Sequence, residues 1–416
     1  MALTKLEFRP GINRDVTSYT NEGGWVDGDK IRFRMGFPEK IGGWEKYSSS
    51  TFLGTCRALH NWMALDASNL LGIGTHLKYY IEQGQGFYDI TPIRKTSVNA
   101  TTFSASASAG SKITVTNNSN GVVQNDFVTF SGAATLGGTI TAAVLNQEYQ
   151  IVQVLTGNSY TIAAKDPTSG NAVAANSSDS QNGGGSVTAT YQINVGLNTE
   201  VGGTGWGAGT FGRSTWGSGL GGGITTVTEL RLWSHDNFGE DLLLNPRDGA
   251  IYYWDKTNGT GVRAVDLTTV TGHNEVPVIA KQILTSDTDR HVIAFGTNPE
   301  GSTTQDSLLI RFSNQESLVD WAATATNSAG DLRIGAGSTF VKAIQTKREI
   351  VIWTDTALHS MRYIGPPFTF GIQQLASNIT IMGPNAAVAV EDVVLWMGKD
   401  NFYIYEGQTQ QLPCTV

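Results

Sequence analysis

Short apolar runs separated by turn residues recur along this chain, and the clearest pair lies within residues 229–256. Residues 242–244 and 251–254 flank the sequence Asn-Pro-Arg-Asp-Gly that ends at Gly249. Apolar and aromatic residues on both sides of an Asp-Gly turn are typical of an antiparallel β-hairpin. The same arrangement returns at residues 70–81, 350–363 and 393–405. We therefore predict repeated antiparallel units of two to four strands.

The spacing of these units predicts the architecture of the body. After Thr225 the apolar runs start at Leu242, His291, Ile350 and Val393. These starts are roughly 40–60 residues apart, near the period of a four-stranded propeller blade. A capping box that begins at Ser313 (Ser-Asn-Gln-Glu) predicts one short helix among the strands. The predicted fold class is all-β, with an irregular β-propeller-like body.

The composition changes sharply at about residue 96, and the chain then becomes rich in Ser, Thr, Ala, Asn and Gly up to residue 191. Short strand-like runs alternate with turns there, which predicts an inserted all-β domain, a small sandwich or barrel that is Ig-like or similar. The predicted divisions are residues 1–96 with the first propeller unit, the insert at 97–193, a Gly/Trp-rich loop at 194–224, and the remaining blades at 225–416. The aromatic residues expected to fill the core of the insert are Phe103, Phe127, Phe130, Tyr149, Tyr160 and Tyr191.

Two further segments supply candidate interface residues. Apolar and basic side chains alternate over residues 30–34 (KIRFR), which predicts a strand with one wet face. Arg32 and Arg34 on that face are candidates to contact DNA or a partner ring, although acids at positions 27, 29 and 39 favour an ordinary solvated face.

Glycine dominates residues 202–223 (GGTGWGAGTFGRSTWGSGLGGG), where Trp206, Phe211 and Trp216 are spaced five apart. The formal G-x-G-x-x-G at 207–212 is followed by more glycine, so a dinucleotide-binding helix is not expected. We interpret the segment as a permissive loop whose three aromatic residues insert into neighbouring surfaces of this chain or of an adjacent copy.

Charge and cysteine content narrow the classes of function. The chain has 416 residues and a formal charge of −8, which argues against a protein that grips nucleic acid but permits one that surrounds DNA without holding it. Cys56 and Cys414 lack metal-ligand spacing, and we expect two free thiols rather than a disulfide. The sequence has no membrane-spanning run and no apolar signal core, so we expect no membrane partner.

No catalytic motif is evident, so we expect no enzyme, no metal and no cofactor. The histidines lack metal-ligand spacing, and nucleophile-elbow and zinc-protease motifs are missing. A propeller glycosidase would place paired carboxylates at the hub. The carboxylates to weigh for that role are Asp236, Glu240, Asp241, Asp287 and Asp289.

Several long phrases resemble one group of tailed-bacteriophage structural proteins. They are residues 9–46, the GWGAG loop, residues 230–255 and residues 330–371, which include IWTDTALHSMRYIGPPFTFG. The group is identified with tail hub or nozzle proteins, also described as packaged-DNA stabilisation proteins. The phrase SGAATLGG within the insert also resembles modules of phage structural proteins.

The resemblance implies a ring of copies, expected to be six, below the portal and its adaptor in the virion tail, assembled in the host cytoplasm. The ring would continue the channel that retains or passes the genome, and the other implied partners are tail fibre, spike or needle proteins and DNA without sequence-specific contacts. Relatives continue beyond the Leu-Pro-Cys-Thr-Val that ends this sequence, so we expect that its 416 residues form part of a longer chain.

Two alternatives come from other classes. One is a receptor- or glycan-binding tail protein that uses the insert, which predicts aromatic-lined pockets there. The other is a depolymerising glycosidase, which predicts a close pair of carboxylates at the propeller hub.

Overall fold

The computed structural model describes residues 9–198, 230–287 and 289–412, and strands dominate them. The first element is a two-stranded hairpin, β1 (Ile31–Arg34) and β2 (Phe37–Lys40). Ile31 and Phe33 are half-buried on one face of β1, whereas Arg32 and Arg34 are exposed on the other. The alternation of apolar and basic residues therefore predicted this strand correctly.

Five four-stranded antiparallel sheets form a five-bladed β-propeller, which confirms the predicted fold class. Each sheet is a simple meander in which strands pair in the order of the sequence. Blade A precedes the insert and comprises β3 (Cys56–Met63), β4 (Asn69–Thr75), β5 (Tyr79–Gln83) and β6 (Gly86–Asp89).

The insert is a single seven-stranded sheet that curls into a half-barrel, so the barrel-like form of the prediction is the one observed. Its sheet starts at Ile93, slightly before the expected residue 97. All six predicted core aromatics are buried. Its strands are β7 (Ile93–Val98), β8 (Thr101–Ala105), β9 (Lys112–Asn117), β10 (Phe127–Ser131), β11 (Glu148–Thr156), β12 (Ser159–Ala163) and β13 (Thr188–Gln192), with one helical turn, α1 (Ala142–Leu145), and a 3-10 turn at Ala107–Ala109.

Four blades follow residue 230, and 3-10 turns at Lys256–Asn258 and Leu267–Thr269 flank the last strand of the first of them. Blade B comprises β14 (Trp233–Phe238), β15 (Asp241–Pro246), β16 (Tyr252–Trp254) and β17 (Val265–Asp266). Blade C comprises β18 (Gln282–Thr285), β19 (Val292–Phe295), β20 (Leu309–Phe312) and β21 (Gly330–Arg333). Blade D comprises β22 (Phe340–Gln345), β23 (Ile350–Thr354), β24 (Ala357–Gly365) and β25 (Thr369–Ser377). Blade E comprises β26 (Ala387–Val390), β27 (Val393–Met397), β28 (Phe402–Tyr405) and β29 (Thr409–Leu412).

The apolar runs found in the sequence are the second strands of the blades. Leu242 lies in β15, Ile350 begins β23, Val393 begins β27, and His291 immediately precedes β19. A second strand is hydrogen-bonded on both edges and packed on both faces, so it is continuously apolar and easy to detect. The hairpin predicted around the Asp-Gly turn is formed by β15 and β16, with Leu242 opposite Trp254.

Apolar side chains between neighbouring blades form four cores. One core joins blades A and B, the next joins B and C, and two more join C with D and D with E. Two buried indoles add polar contacts between A and B, because Trp62 donates to the Glu240 carbonyl at 3.0 Å and Trp233 donates to the Thr75 carbonyl at 2.7 Å. The propeller is therefore held together by the stacking of sheet faces.

A buried ionic cluster fixes the insert to the propeller. The Lys78 ammonium contacts Asp89 at 2.8 Å and Glu148 of the insert at 2.5 Å. Arg263 of blade B contacts the same two carboxylates, and Gln192 donates a hydrogen bond to Glu148 at 2.6 Å. Because two cations face two carboxylates here, the charges of the cluster balance.

The prediction of a helix from the capping box at Ser313 is wrong. The Ser313 hydroxyl accepts a hydrogen bond from the Val292 amide at 2.9 Å, so it is occupied by a neighbouring strand instead of capping a helix. Glu316 has a φ of 56° and donates its amide to the Arg290 carbonyl. Tertiary contacts thus hold this segment as a turn. None of the helices in the described ranges is long and apolar enough to cross a membrane.

Gly74 provides a test of the packing between blades A and B. A Cβ atom at this position would lie 2.5 Å from Cδ1 of Trp233, whose indole is buried in the core of these two blades. We expect Gly74→Ala to lower the free energy of unfolding by about 1–3 kcal/mol, because the core must shift to admit the methyl group. Urea unfolding followed by tryptophan fluorescence measures the change.

The matched control is Gly335→Ala, since a Cβ atom there meets nothing within 4 Å. We expect the control to change stability by less than about 0.5 kcal/mol. Equal effects of the two substitutions would contradict the packing described for Trp233.

Candidate axial cavity and open side

A cavity of about 390 Å³ lies on the propeller axis. It is lined by the first strands of blades A to D and by Asn385, which precedes blade E. These first strands contact one another in series, β3 with β14, β14 with β18, β18 with β22 and β22 with β26. The cavity is therefore the place where the first strands of four blades meet the residues that lead into blade E.

Polar side chains on the axis hydrogen-bond to the backbone of the neighbouring blade. The Ser234 hydroxyl accepts from the Ile283 amide at 2.9 Å, and Asp236 Oδ2 accepts from the Thr285 amide at 2.8 Å. Gln282 bridges in the same way, because it donates to the Ala343 carbonyl at 2.7 Å and accepts from the Ala343 amide at 3.0 Å. The inner edges of the sheets have no further strand to pair with, and these side chains satisfy their backbone groups.

Three ionisable groups on the axis have shifted pKa values. Burial raises the pKa of Asp236 to about 6. Burial, followed by the nearby His60, lowers the pKa of His235 to about 3, and Tyr79 Oη hydrogen-bonds to His235 Nδ1 at 2.6 Å. Burial and the Arg247 guanidinium lower the pKa of Lys342 to about 8. Each shift favours the neutral form of the group, as expected for a cavity sheltered from water.

The carboxylates considered for a glycosidase have different surroundings. Only Asp236 among them lines the axial cavity. Glu240 binds the Lys256 ammonium at 3.0 Å, and Asp241 accepts from the Tyr253 hydroxyl at 2.6 Å. Asp289 lines a separate cavity of about 210 Å³ between blades C and D. Besides burial, the charge of Asp287 contributes to the raised pKa of Asp236, so Asp287 is the one candidate carboxylate near it among the described residues, whereas Glu240 and Asp241 have partners of their own.

The remaining predicted site residues fall into two groups. Arg32 Nε lies 2.5 Å from Glu39, so the neighbouring acid offsets its charge, whereas Arg34 is exposed. Trp206, Phe211 and Trp216 lie outside the described residues, as does Cys414, and the Cys56 thiol is exposed. Within the described ranges, no three His, Cys, Asp or Glu side chains are grouped as metal ligands.

Blade E has a second apolar face that no other blade covers. The cross-strand pairs Val388–Leu395, Val390–Val393 and Met397–Phe402 place these side chains on the face opposite to the core with blade D. Val390 is 60% exposed and Val388 is 53% exposed. No hydrophobic core among the described residues joins this face to blade A.

Blade A has a corresponding uncovered face. Leu59 and Met63 of β3 point away from the core with blade B and are largely exposed. The peripheral part of this face is covered by Phe52, whose ring packs against Tyr80 and Phe87 with centroids 6.0 and 5.2 Å away. We call the uncovered faces of blades A and E together the open side of the propeller.

The segment of residues 9–47, which we call the arm, also carries uncovered apolar side chains. Trp44 is fully exposed and Tyr19 is 95% exposed, and Met35, Phe37 and Tyr47 are exposed as well. The arm contains the β1–β2 hairpin, and none of its residues belongs to a hydrophobic core in the described structure.

No family model matches this chain, and no curated protein matches it. Among solved structures, phage phi92 endosialidase is similar over 88% of this chain and 47% of that protein, with 9% sequence identity and a TM-score of 0.22. The matched region thus spans about half the length of that protein. A similarity of this size carries no argument about the fold or the function of this chain.

The residues that distinguish this structure do not stand out in the amino-acid sequence. Lys342 and His235 lie in first strands that are too polar to stand out as apolar runs. The open side was missed because both faces of blade E are apolar, as they would be in a blade enclosed between two others. The open side is identified by asking whether a blade with two apolar faces has a neighbouring blade on each of them. The number of neighbouring blades is known only from the structure.

Lys342 is half-buried and makes no hydrogen bond or ion pair with any residue in the described ranges, so the desolvation of its ammonium group is expected to cost stability. We expect Lys342→Met to raise the free energy of unfolding by about 1 kcal/mol at pH 7. The folded pKa lies below the unfolded one, so the wild-type deficit is complete below pH 8 and fades as the pH rises towards the unfolded value of 10.5. Urea unfolding at pH 7 and pH 10 measures it.

The exposed Lys399 offers the control, and Lys399→Met is expected to change stability by less than about 0.5 kcal/mol at either pH. A Lys342→Met variant that is less stable than wild type at pH 7 would show that the ammonium has a stabilising partner.

Asp236 is expected to act as a hydrogen-bond acceptor between blades B and C. Asp236→Ala should destabilise the protein by about 1–3 kcal/mol, because the Thr285 amide loses its buried partner. Asp236→Asn keeps an oxygen acceptor and should lower the stability of the protein much less. Since the folded pKa of Asp236 is raised to about 6, wild type should gain stability relative to the Asn variant as the pH falls from 7 to 4. Thermal unfolding of both proteins between pH 7 and pH 4 measures this change. A difference in stability between wild type and the Asn variant that stays the same across this range would contradict the raised pKa.

Proposed function

We propose that this chain is a structural subunit of a bacteriophage tail, located in the hub or nozzle. Copies of the chain form a ring below the portal and its adaptor, and this ring continues the channel that retains or passes the genome. The resemblance of residues 9–46, 230–255 and 330–371 to such proteins suggests this role. The function is mechanical, and its partners are other copies, the adaptor, distal tail proteins and the DNA in the channel.

The exposed arm is the observation that carries the proposal. Large apolar side chains cost free energy in water, and a contiguous exposed set is characteristic of a protein-binding surface. Trp44 and Tyr19 are almost fully exposed, and the arm has no core of its own. A subunit whose arm binds the neighbouring molecules of an assembly accounts for these side chains.

The charge of the chain suits a channel wall. With a net charge of −8, the protein has few cations available to hold phosphates. Binding to DNA depends on the number of phosphates that Lys and Arg neutralise. A wall with a low density of free cations therefore lets the genome slide past without being retained at particular positions.

The insert contributes a rigid outer module in this proposal. All six of its aromatic residues are buried, so none is available to stack against a sugar ring. The glycan-binding alternative, which expected aromatic-lined pockets on the insert, gains no support from the structure. The insert is instead suited to the rim of a ring, where the Lys78 cluster fixes its orientation.

Electron microscopy of the purified chain, alone and mixed with the portal–adaptor complex, tests the proposal. We expect a closed ring that caps the adaptor coaxially and has a lumen wide enough for double-stranded DNA. A chain that begins at residue 48 serves as the matched variant, and it should bind the adaptor less completely because it lacks the arm. A protein that stays monomeric and does not bind the adaptor would refute the role.

A further inference from the structure

The open side has the character of an inter-blade interface that lacks its partner. The uncovered face of blade E carries apolar side chains on all four strands, among them Val390, Leu395, Phe402 and Leu412, and the outermost strand adds the polar Gln410. The face of blade C that forms the core with blade D is similarly apolar and is buried. Because apolar faces of this size are covered at the other four junctions, the open side is expected to be covered in the assembled protein.

The two uncovered surfaces of this molecule, the open side and the arm, contain strands of equal length. The arm supplies a two-stranded sheet whose strands β1 and β2 have four residues each. Strands β26 and β28 of blade E also have four residues each. A hairpin of this length can therefore lie along the face of blade E as an additional layer, at the spacing at which sheets pack.

The same two surfaces are complementary in charge. Residues 31–47 contain four basic residues and two acidic residues, a net charge of +2. Residues 386–412 contain four acidic residues and one basic residue, and two of the acids, Glu391 and Asp392, already pair with Lys347 and Arg348. Arg34 and Lys40 of the arm, and Asp400 and Glu406 of blade E, make no ion pair within the described residues, so these four charges are available for pairing.

The position of the arm determines which molecule supplies it. Residues 48–53 fasten the arm to blade A, since the Ser48 hydroxyl donates to the Gln85 carbonyl at 2.5 Å and the Leu53 amide donates to Tyr80 Oη at 3.2 Å. In the single chain, Trp44 and Val390 nevertheless both remain exposed. The arm of a chain thus leaves its own open side uncovered, which favours a second copy as the occupant.

We propose that residues 31–47 of one copy bind the open side of a neighbouring copy and complete its propeller with an additional β-layer. The contact is head-to-tail, so it links copies into a ring when the rotation between them closes. This inference rests on the proposed function, because the ring proposed there needs a contact between its subunits and the arm supplies that contact. It assigns the arm and the open side as the two halves of one interface.

Disulfide trapping tests the exchange directly. Two variants are prepared in a Cys56→Ser, Cys414→Ser background, one with Trp44→Cys and one with Val390→Cys. Mixing them under oxidising conditions should give a cross-linked dimer, because each variant contributes one half of the interface. In the control mixture, a Gly157→Cys variant replaces Val390→Cys, and its cysteine lies on an exposed turn of the insert. This mixture should give no cross-linked dimer.

A third variant carries both cysteines in one chain. If it forms a disulfide within the monomer while the mixture of single variants forms no dimer, the arm covers the open side of its own chain and the proposal is overturned. Absence of any cross-link in all mixtures overturns it as well, because the open side then has a different occupant.

Charge reversal provides an independent test. Arg34→Glu with Lys40→Glu should weaken self-association about fivefold, as measured by analytical ultracentrifugation at low salt. Adding Asp400→Lys and Glu406→Lys to the same chain should restore it, because the pairs are re-formed with exchanged signs. If the second pair of changes weakens association further, these residues do not face each other and the proposed contact is refuted.

The outcomes separate this inference from the proposed function. Failure of the cross-link together with a coaxial ring on the adaptor leaves the tail role intact and assigns the ring contacts to other surfaces. Arm exchange without binding to the adaptor supports the inference and refutes the tail role.

Discussion

Face-to-face packing of sheets is the interaction on which this structure depends. Neighbouring blades share apolar cores, and side chains such as Trp62, Trp233 and Gln282 add hydrogen bonds between blades. Each blade is a narrow four-stranded sheet that cannot bury two apolar faces by itself. The stability of each blade therefore depends on its neighbours. A blade that lacks a neighbour on one side exposes an apolar face to water.

This dependence connects the open side with the arm. Blade E shares a core with blade D that includes Trp353 and Trp396, whose rings pack edge to face at 5.5 Å. Its other face, with Val388 and Val390, is similarly apolar but exposed. A covering layer from a second molecule would bury this face and the arm in one step. Association would then be driven mainly by apolar burial and oriented by the charges at the ends of the strands.

The sequence predicted the parts of the fold in which local pattern and tertiary environment agree. The β15–β16 hairpin is an example, because its apolar residues are buried on both faces and its turn contains the preferred Asp-Gly pair. The six aromatics of the insert are another, because a small domain has few large side chains with which to fill a core. The capping box at Ser313 failed because a serine hydroxyl serves equally well as an acceptor for a neighbouring strand, and no local pattern distinguishes the two uses.

Much less of the candidate site could be predicted. Asp236 was considered as a catalytic carboxylate, and its raised pKa alone would keep it a candidate. Its position gives a simpler explanation, because Oδ2 replaces the strand partner that the Thr285 amide lacks at the inner edge of blade C. Ser234 serves the same purpose for the Ile283 amide at the same junction, and Gln282 does so at the next junction, between blades C and D. These three polar residues of the axis are thus accounted for by the geometry of a propeller whose inner edges are unpaired. The apolar residues of the open side have no such internal explanation, and for that reason they indicate a partner more strongly than the axis does.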